Sequence, residues 1–431
     1  MRVVADLHIH SKYSRATSPK MDIDNLYTWT KLKGINLLGT GDFTHPAYLA
    51  NLREKLEPLG NGFFRYKNSK ITGNKIIPTE TYFMLTAEVS GIYSEGGKVR
   101  KIHNIIFAPS FEVVDKINQR LGKIGNLYAD GRPILGLTAY DLARIIFDIS
   151  QDCLVIPAHA WTPWFSVFGS NSGFDSLEEC FKDLTPNIYA IETGLSSDPP
   201  MNWRLSVLDD ITLISNSDAH SLPKIGREAN VFEIEESKFS YKELARILQK
   251  KDKKKFLFTI EFFPEEGKYH WDGHRACDIR LNPWQTKKHK LICPKCARPL
   301  TVGVMHRVED LADRKEVKKP KNAIPYKNLV PLQEIIAEVK DQNVNTAAVQ
   351  KEYLDLVSKF GSEFNILINL PKEQLSDIDP NILAGVINVR EGKIKALAGY
   401  DGVYGTIKVL DNEEEGDDIL KPKKKPQMQL F

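Results

Sequence analysis

Asp6-Leu-His-Ile-His10 closes an apolar run that begins at Val3, and it constrains the fold more than any other stretch of the chain. Side chains alternate along an extended backbone, so His8 and His10 point the same way and can share one metal ion. Comparable groups stand downstream, each at the end of a strand-like segment. They are Gly39-Thr-Gly-Asp42, Leu85-Thr-Ala-Glu88, Lys101-Ile-His103, Pro157-Ala-His159 and Ser215-Asn-Ser-Asp218-Ala-His220. A lone His-x-His is commonly two unrelated histidines. Its recurrence at successive strand ends makes His8, His10, Glu88, His103, His159, Asp218 and His220 candidate metal ligands and catalytic residues.

Up to about residue 262 strand and helix patterns alternate. Strands are expected at 3–10, 35–39, 82–89, 101–107, 153–158, 187–192 and 211–216. Helices are expected at 24–33, 46–56 and 138–149, with Gly34 a stop signal and Thr138 a cap. Repeated β–α units with chemistry at the strand ends predict an α/β fold, a distorted (β/α)7 barrel over 1–262. Residues 263–318 are rich in His, Cys and basic side chains. An α-rich module is expected over 319–410, with a β-like ending. Residues 411–431 run acidic, then basic, then apolar, a composition that predicts a flexible tail.

Composition narrows the class. The 431 residues are 42% hydrophobic, enough for a large core, and the net charge of +3 provides no global field for nucleic acid. Basic residues cluster instead at Lys250 to Lys255 and Lys421 to Lys425. No apolar run approaches the roughly 18 residues of a membrane helix. Five cysteines, three of them close together, and no signal peptide before Met1 argue against a disulfide framework and for a reducing cytoplasm. Cys153 and Cys180 read as small core residues.

His274-Arg-Ala-Cys277, fifteen residues, and Cys293-Pro-Lys-Cys296 have the spacing of a zinc ribbon in which one His replaces a Cys. His270 and His289 are alternative fourth ligands. Lys287, Lys288, Lys290, Lys295 and Arg298 decorate the ribbon and suit backbone phosphates.

The barrel residues resemble the motifs of the polymerase-and-histidinol-phosphatase (PHP) metallohydrolases over the N-terminal part of the chain, about 60% of it. The resemblance implies a phosphoesterase with a multinuclear centre. His8, His10, Glu88 and Asp218 would hold one ion, and Glu88 would bridge to a second held by His103 and His159. A third would use His220 with partners from the first two motifs. The chain departs from the pattern where Gly41-Asp42-Phe43 replaces the usual Thr-Asp-His, and where no histidine occurs around Ser14 to Ala16. Asp42 is therefore expected as a substitute ligand, with His45 and Glu192 as further candidates.

A small-molecule phosphatase needs neither ribbon nor tail. Together with Gly39-Thr-Gly-Asp-Phe-Thr-His-Pro46, Leu300 to Arg314 and Val330 to Glu338, these features are similar to the endonuclease Q family of PHP nucleases. That similarity implies incision of DNA 5′ to uracil, hypoxanthine, xanthine or an abasic site. It also implies two or three divalent metals in the barrel (Zn, with Mg or Mn as alternatives) and one structural Zn in the ribbon. Trp161, Trp164, Phe165 and Phe168 closely follow His159 and are candidate DNA contacts. Gln427-Met-Gln-Leu430-Phe431 resembles the motif by which repair proteins dock on sliding clamps, either the bacterial beta type or PCNA. A small-molecule phosphoesterase and a catalytically inert DNA-binding adaptor are the competing readings.

Overall fold

The computed structural model describes residues 1–69 and 79–410. The expected tail, with Gln427, Leu430 and Phe431, lies outside the described residues. No described helix is long and apolar enough to cross a membrane.

A mixed eleven-stranded sheet organises the N-terminal two thirds. Strand Arg2–Asp6 runs parallel to Leu37–Gly39 and antiparallel to Ala229–Glu233, and Leu37–Gly39 continues in parallel to Tyr82–Glu95. Tyr82–Glu95 folds back on Lys98–Ala108 as a long antiparallel hairpin, which passes the ladder to Leu154–Pro157. On the other flank Ala229–Glu233 pairs with Phe256–Glu261. Ala190–Glu192 and Thr212–Ile214 form a separate parallel pair.

All seven expected strands are present, and helices alternate with them except where one hairpin breaks the β–α pattern. Lys98–Ala108 returns through a tight turn, Gly96-Gly97, with no intervening helix. Ala229–Glu233 and Phe256–Glu261 join the sheet without having been expected, because their apolar stretches carry no chemical motif. The ladders do not join the separate pair to the large sheet. Side chains bridge the gap instead: Asn230 Nδ2 donates to Ser215 O at 2.7 Å and to Ala5 O at 3.3 Å, and Ser215 Oγ donates to Ile260 O at 2.7 Å.

Alternation along the strands explains the two cores. Val3 and Ala5, Leu37, Tyr82 and Met84, Ile105 and Phe107, Leu154 and Ile156, Ala190, Ile214, Phe232 and Phe256 form one buried cluster drawn from nine strands. Helix Tyr241–Lys250, capped by Ser240, packs its apolar face into the same cluster. The opposite faces, through Val4, Leu38, Phe83 and Ile106, pack in a second cluster with Ile23–Lys33, Phe111–Leu121 and Ala139–Ile149. Thr138 caps the last of these helices as expected.

Farther along, a short hairpin, Asp272–His274 with Ile279–Leu281, begins the cysteine-rich segment. Strand Tyr326–Asn328 then adds to Phe256–Glu261 in parallel before helices Leu332–Val339, Ala347–Phe360 and Pro380–Glu391. The β-like ending is the hairpin of Lys395–Leu397 and Thr406–Lys408. A buried ion pair, Lys33 Nζ to Glu363 Oε2 at 2.6 Å, ties helix Ile23–Lys33 to this C-terminal region. Tyr353 OH also donates to that carboxylate, at 2.9 Å.

Candidate metal centre

The regular first strand ends at Asp6, and His8 and His10 follow in a segment held to the end of another by the bridge of Ile9 with Ala219. Asp6 itself is a brace: its carboxylate accepts from Ser217 N at 3.0 Å and Gly226 N at 2.9 Å. The two motifs farthest apart in sequence are thus held side by side.

Glu88 is the hub. Its Oε2 lies 3.3 Å from His10 Nε2 and 3.7 Å from His8 Nε2, and its Oε1 lies 2.7 Å from His103 Nδ1 and 3.1 Å from His159 Nε2. Asp218 Oδ1 lies 3.1 Å from His10 Nε2 and 3.7 Å from His220 Nδ1. Three sets of donor atoms each converge within 4.8 Å: His8, His10 and Glu88; His10, Asp218 and His220; Glu88, His103 and His159. Every one of the seven residues expected from the strand-end motifs falls in at least one set.

His8 Nε2, His10 Nε2 and Asp218 Oδ1 are buried and have no hydrogen-bond partner. His10 Nε2 and Asp218 Oδ1 stand close but out of line for a hydrogen bond, so both are aimed at a common point rather than at each other. Buried polar atoms without partners are costly, and nitrogen and carboxylate donors converging in this way fit a divalent cation.

The opposite edges of the rings are fully satisfied. His8 Nδ1 lies 3.1 Å from both oxygens of Glu192, which also accepts from Asn216 Nδ2 and His159 N. His10 Nδ1 lies 3.1 Å from Asp42 Oδ1. A carboxylate behind a histidine holds the ring so that its far nitrogen faces the metal. Asp42, expected as a substitute ligand, stands in this supporting position. Its Oδ2 is already taken by Ser11 N at 2.7 Å, Ser11 Oγ at 2.6 Å and Ser14 Oγ at 2.8 Å, and it joins none of the three converging sets. Glu192 takes the same supporting position behind His8. His45 precedes helix Pro46–Lys55 and stacks on Tyr13 at 4.4 Å.

Electrostatics agree with a centre short of positive charge. Burial opposes a proton on His8, yet Glu192 and Glu88 beside it lift its pKa well above the ordinary histidine range. Burial likewise opposes ionisation of Glu88, but His103, Arg132 and His8 hold it well below the usual carboxylate range. Asp218 is depressed in the same way, against burial, by His220 and His10. Burial wins at His103, which is pulled down to about 4, and at His220, which is also lowered. Asp42, His159 and Asp218 all have positive φ, at 46°, 31° and 46°. Such conformations cost roughly 1–3 kcal/mol each and persist where the surroundings enforce them.

Arg132 also reaches the centre, its Nη1 donating to Glu88 Oε2 at 3.1 Å. Sequence reasoning passed over it because no strand or motif marks the loop that carries it.

The aromatic residues after His159 divide. Trp161 is fully buried, donates from Nε1 to Asn202 Oδ1 at 2.8 Å and packs on Phe168. As a DNA contact it is therefore corrected to a core residue, and Phe168, 1% exposed, with it. Phe165 lies over His103 with ring centroids 4.7 Å apart, and Trp164 is 40% exposed against the edge of Tyr269.

His274, Cys277, Cys293 and Cys296 form a fourth convergent set. His274 Nδ1 lies 3.3 Å from Cys296 Sγ. Neighbouring backbone N–H groups of Lys295 and Cys296 bring Cys293 down to about 6 although burial acts against them, which favours the thiolate that binds metal. His270 and His289 stand outside this set. His270 is buried, and His289 follows helix Pro283–Lys288. Cys153 and Cys180 are buried core thiols, as expected.

Known proteins resemble the chain at three levels. The family described as the MJ0043 C-terminal domain matches residues 331–393. The protein MJ0043 of Methanocaldococcus jannaschii is 34% identical over 251 residues, 58% of this chain, and the chain spans 31% of that relative's length. YqxK of Bacillus subtilis is 30% identical over 419 residues, covering 94% of this chain and 99% of that protein. The crystal structure of a lesion-specific endonuclease, PfuEndoQ from Pyrococcus furiosus, superposes with a TM-score of 0.82 at 31% identity over 95% of both chains. An endonuclease Q in complex with a 27-mer duplex substrate, an abasic lesion at its active site, superposes with the same TM-score at 31% identity, over 96% of this chain and 98% of that one.

Proposed function

The chain belongs to the endonuclease Q family, and from that premise we propose that it is a metal-dependent DNA repair endonuclease. It hydrolyses the phosphodiester bond 5′ to deaminated bases (uracil, hypoxanthine or xanthine) or abasic sites. The observation that carries this reading is the convergence of His8, His10, Glu88, His103, His159, Asp218 and His220 around unpartnered donor atoms. His8, His10 and Glu88, His10, Asp218 and His220, and Glu88, His103 and His159 are the residues that would hold two or three ions, Zn with Mg or Mn as alternatives. Bound divalent ions supply activation of water and stabilisation of the attacking and leaving oxygens in an in-line phosphoryl displacement.

The strands around the centre are a distorted PHP barrel in this reading, with Asn230 and Ser215 bridging the Thr212–Ile214 flank to the large sheet where no ladder does. Residues 1–262 form the barrel, 263–318 a zinc-ribbon module with one structural Zn, and 319–410 an α-rich DNA-binding module. A damaged base has to leave the stack to be read, at a cost of a few kcal/mol that is smallest where pairing is already weak. Trp164 and Phe165 are suitable stacking partners beside the centre. The 411–431 tail would tether the protein to a sliding clamp through Gln427, Leu430 and Phe431, in the cytoplasm.

Labelled duplexes carrying one uracil, hypoxanthine or abasic site, incubated with the protein with and without Mn or Mg, test the reading. The expected result is one metal-dependent nick on the 5′ side of the lesion. Incision that survives His8→Ala, Glu88→Ala and Asp218→Ala alike sinks the metal assignment. Release of phosphate from a small phosphomonoester with every duplex left intact would point to a small-molecule phosphoesterase instead.

A further inference from the structure

Arg132 is delivered to the centre by a loop that the first two motifs hold in place. Gly131 N donates to Tyr13 O at 2.9 Å, Thr44 Oγ1 donates to Gly131 O at 3.0 Å, and Ser90 N donates to Pro133 O at 3.0 Å. Asp130 Oδ1 accepts from the backbone of Arg132 at 3.0 Å and of Arg15 at 3.2 Å. A Cβ at Gly131 would stand 2.3 Å from Asp42 Oδ2 and 2.4 Å from Ser14 Oγ, so only glycine lets the loop lie this close. The atoms that orient His10 therefore also fix the approach of Arg132.

The side chain of Arg132 is 23% exposed while that of Glu88 is at 0%. It thus reaches from the solvent edge down to the buried hub. A guanidinium has five N–H donors in a rigid fork, and its contact with Glu88 uses one of them. Burial disfavours the charge, but Glu88 and Asp218 keep the group cationic. Ions bound to Glu88 would share that carboxylate's charge and weaken its hold on Arg132. The fork would then be available to an incoming anion, and guanidinium geometry matches the two non-bridging oxygens of a phosphodiester.

We infer that Arg132 is a catalytic residue that donates to a non-bridging oxygen of the scissile phosphate, an inference that rests on the phosphodiesterase reading above. Its contact strengthens as charge develops on those oxygens, and this is where a preorganised donor accelerates reaction.

The test compares wild type with R132A and R132K, all loaded with Mn, on a duplex carrying one deoxyuridine. Single-turnover incision by R132A is expected to fall roughly 10²–10³-fold, the loss typical of one such donor. R132K keeps a charge beside Glu88, so it protects the fold should R132A unfold, and is expected to lose roughly tenfold. Two further readouts do not depend on turnover. Bound metal per chain, measured by mass spectrometry, is expected to be unchanged in both variants. The dependence of lesion-duplex affinity on salt, measured by anisotropy, is expected to drop in slope by about 1 in R132A, as for one lost phosphate contact. A residue that merely neutralises Glu88 behaves otherwise: the incision defect disappears in excess Mn, or the salt slope stays at the wild-type value. Either result overturns the inference, as does wild-type incision by R132A. A wild-type protein that leaves every duplex intact overturns both this inference and the reading beneath it.

Discussion

The two candidate metal sites of this chain are built on opposite principles. The cysteine cluster draws its four candidate ligands from His274 to Cys296, and its parts are two short strands, the short helix Pro283–Lys288 and tight turns. The sheet-built centre draws its candidate ligands from His8 to His220: His8, His10, His159, Asp218 and His220 follow the ends of strands, whereas Glu88 and His103 lie within Tyr82–Glu95 and Lys98–Ala108. Burial follows the same division only in part: Cys296 is exposed and Cys277 half-buried but Cys293 is buried, and His8, His10 and Glu88 are 1% exposed or less while Asp218 and His220 are half-buried. A local site has little beneath it except its metal. A site assembled by a sheet inherits its shape from the core.

Chelation gives the sharpest break between the two. Structural zinc supplies roughly 10–16 kcal/mol to small modules, so dialysis against a strong chelator is expected to abolish hydrogen-exchange protection across 272–301. Strands Arg2–Asp6 and Tyr82–Glu95 are expected to keep theirs, because their packing in the two cores does not involve the ligands. Equal loss in both regions would erase the distinction.

Substitution divides the sites next. Glu88→Gln removes the charge shared by two of the converging sets. Incision is expected to fall to background and metal at the sheet-built centre to drop while metal at the cysteine cluster is retained, as counted by metal analysis of the purified variant. Cys293→Ser is expected to do the reverse for metal content.

Beneath the sheet-built centre, pH provides a smaller lever. Burial, reinforced by nearby Asp198, pushes the Glu261 carboxyl up to about 8 from an ordinary 4.5. The folded chain then holds this proton more tightly than the unfolded chain. Its contribution to stability is complete below about pH 4.5 and is lost as pH rises toward 8. Glu261→Gln removes the charge and keeps one acceptor oxygen, for Thr193 or for Thr259. Urea melts are expected to show it gaining on wild type by a few kcal/mol between about pH 5 and pH 8.5, at 1.36 kcal/mol per pKa unit as the upper limit. A difference independent of pH would remove Glu261 as the cause.

The mildest change is at the supporting carboxylates. Asp42→Asn is expected to weaken barrel metal binding or incision by roughly 10–100-fold, the usual effect of a partner behind a ligating histidine. Metal titration of the stripped protein would check it. A loss as complete as that of Glu88→Gln would return Asp42 to the ligand set.

Legibility in the sequence follows the same physical division. His274, Cys277, Cys293 and Cys296 were readable because a ribbon's geometry is set by spacing along the chain. Five of the seven candidate residues follow strand ends as expected, while Glu88 and His103, also expected at ends, lie inside a long hairpin whose strands continue past them. Helix caps at Thr138 and Gly34 were readable because they act within a turn. Asp42 was recognised as part of the site but placed on the wrong side of His10, since spacing says nothing about which edge of a ring a carboxylate meets. Trp161 looked available but is buried, since exposure is decided by what packs against a loop. Arg132 and the strands Ala229–Glu233 and Phe256–Glu261 left no local mark.

By itself, then, the sequence determined the donor atoms, the ribbon and the alternation that makes a mixed α/β core. Those depend on residue chemistry and on periods of a few residues. Tertiary structure alone decided that the hairpin of Tyr82–Glu95 and Lys98–Ala108 replaces a β–α unit, that Glu88 is the hub, and which histidine nitrogens are left unpartnered. Each of these rests on contacts such as Asp6 with Gly226 or His8 with Glu192, between residues that only the packed sheet brings within hydrogen-bond reach.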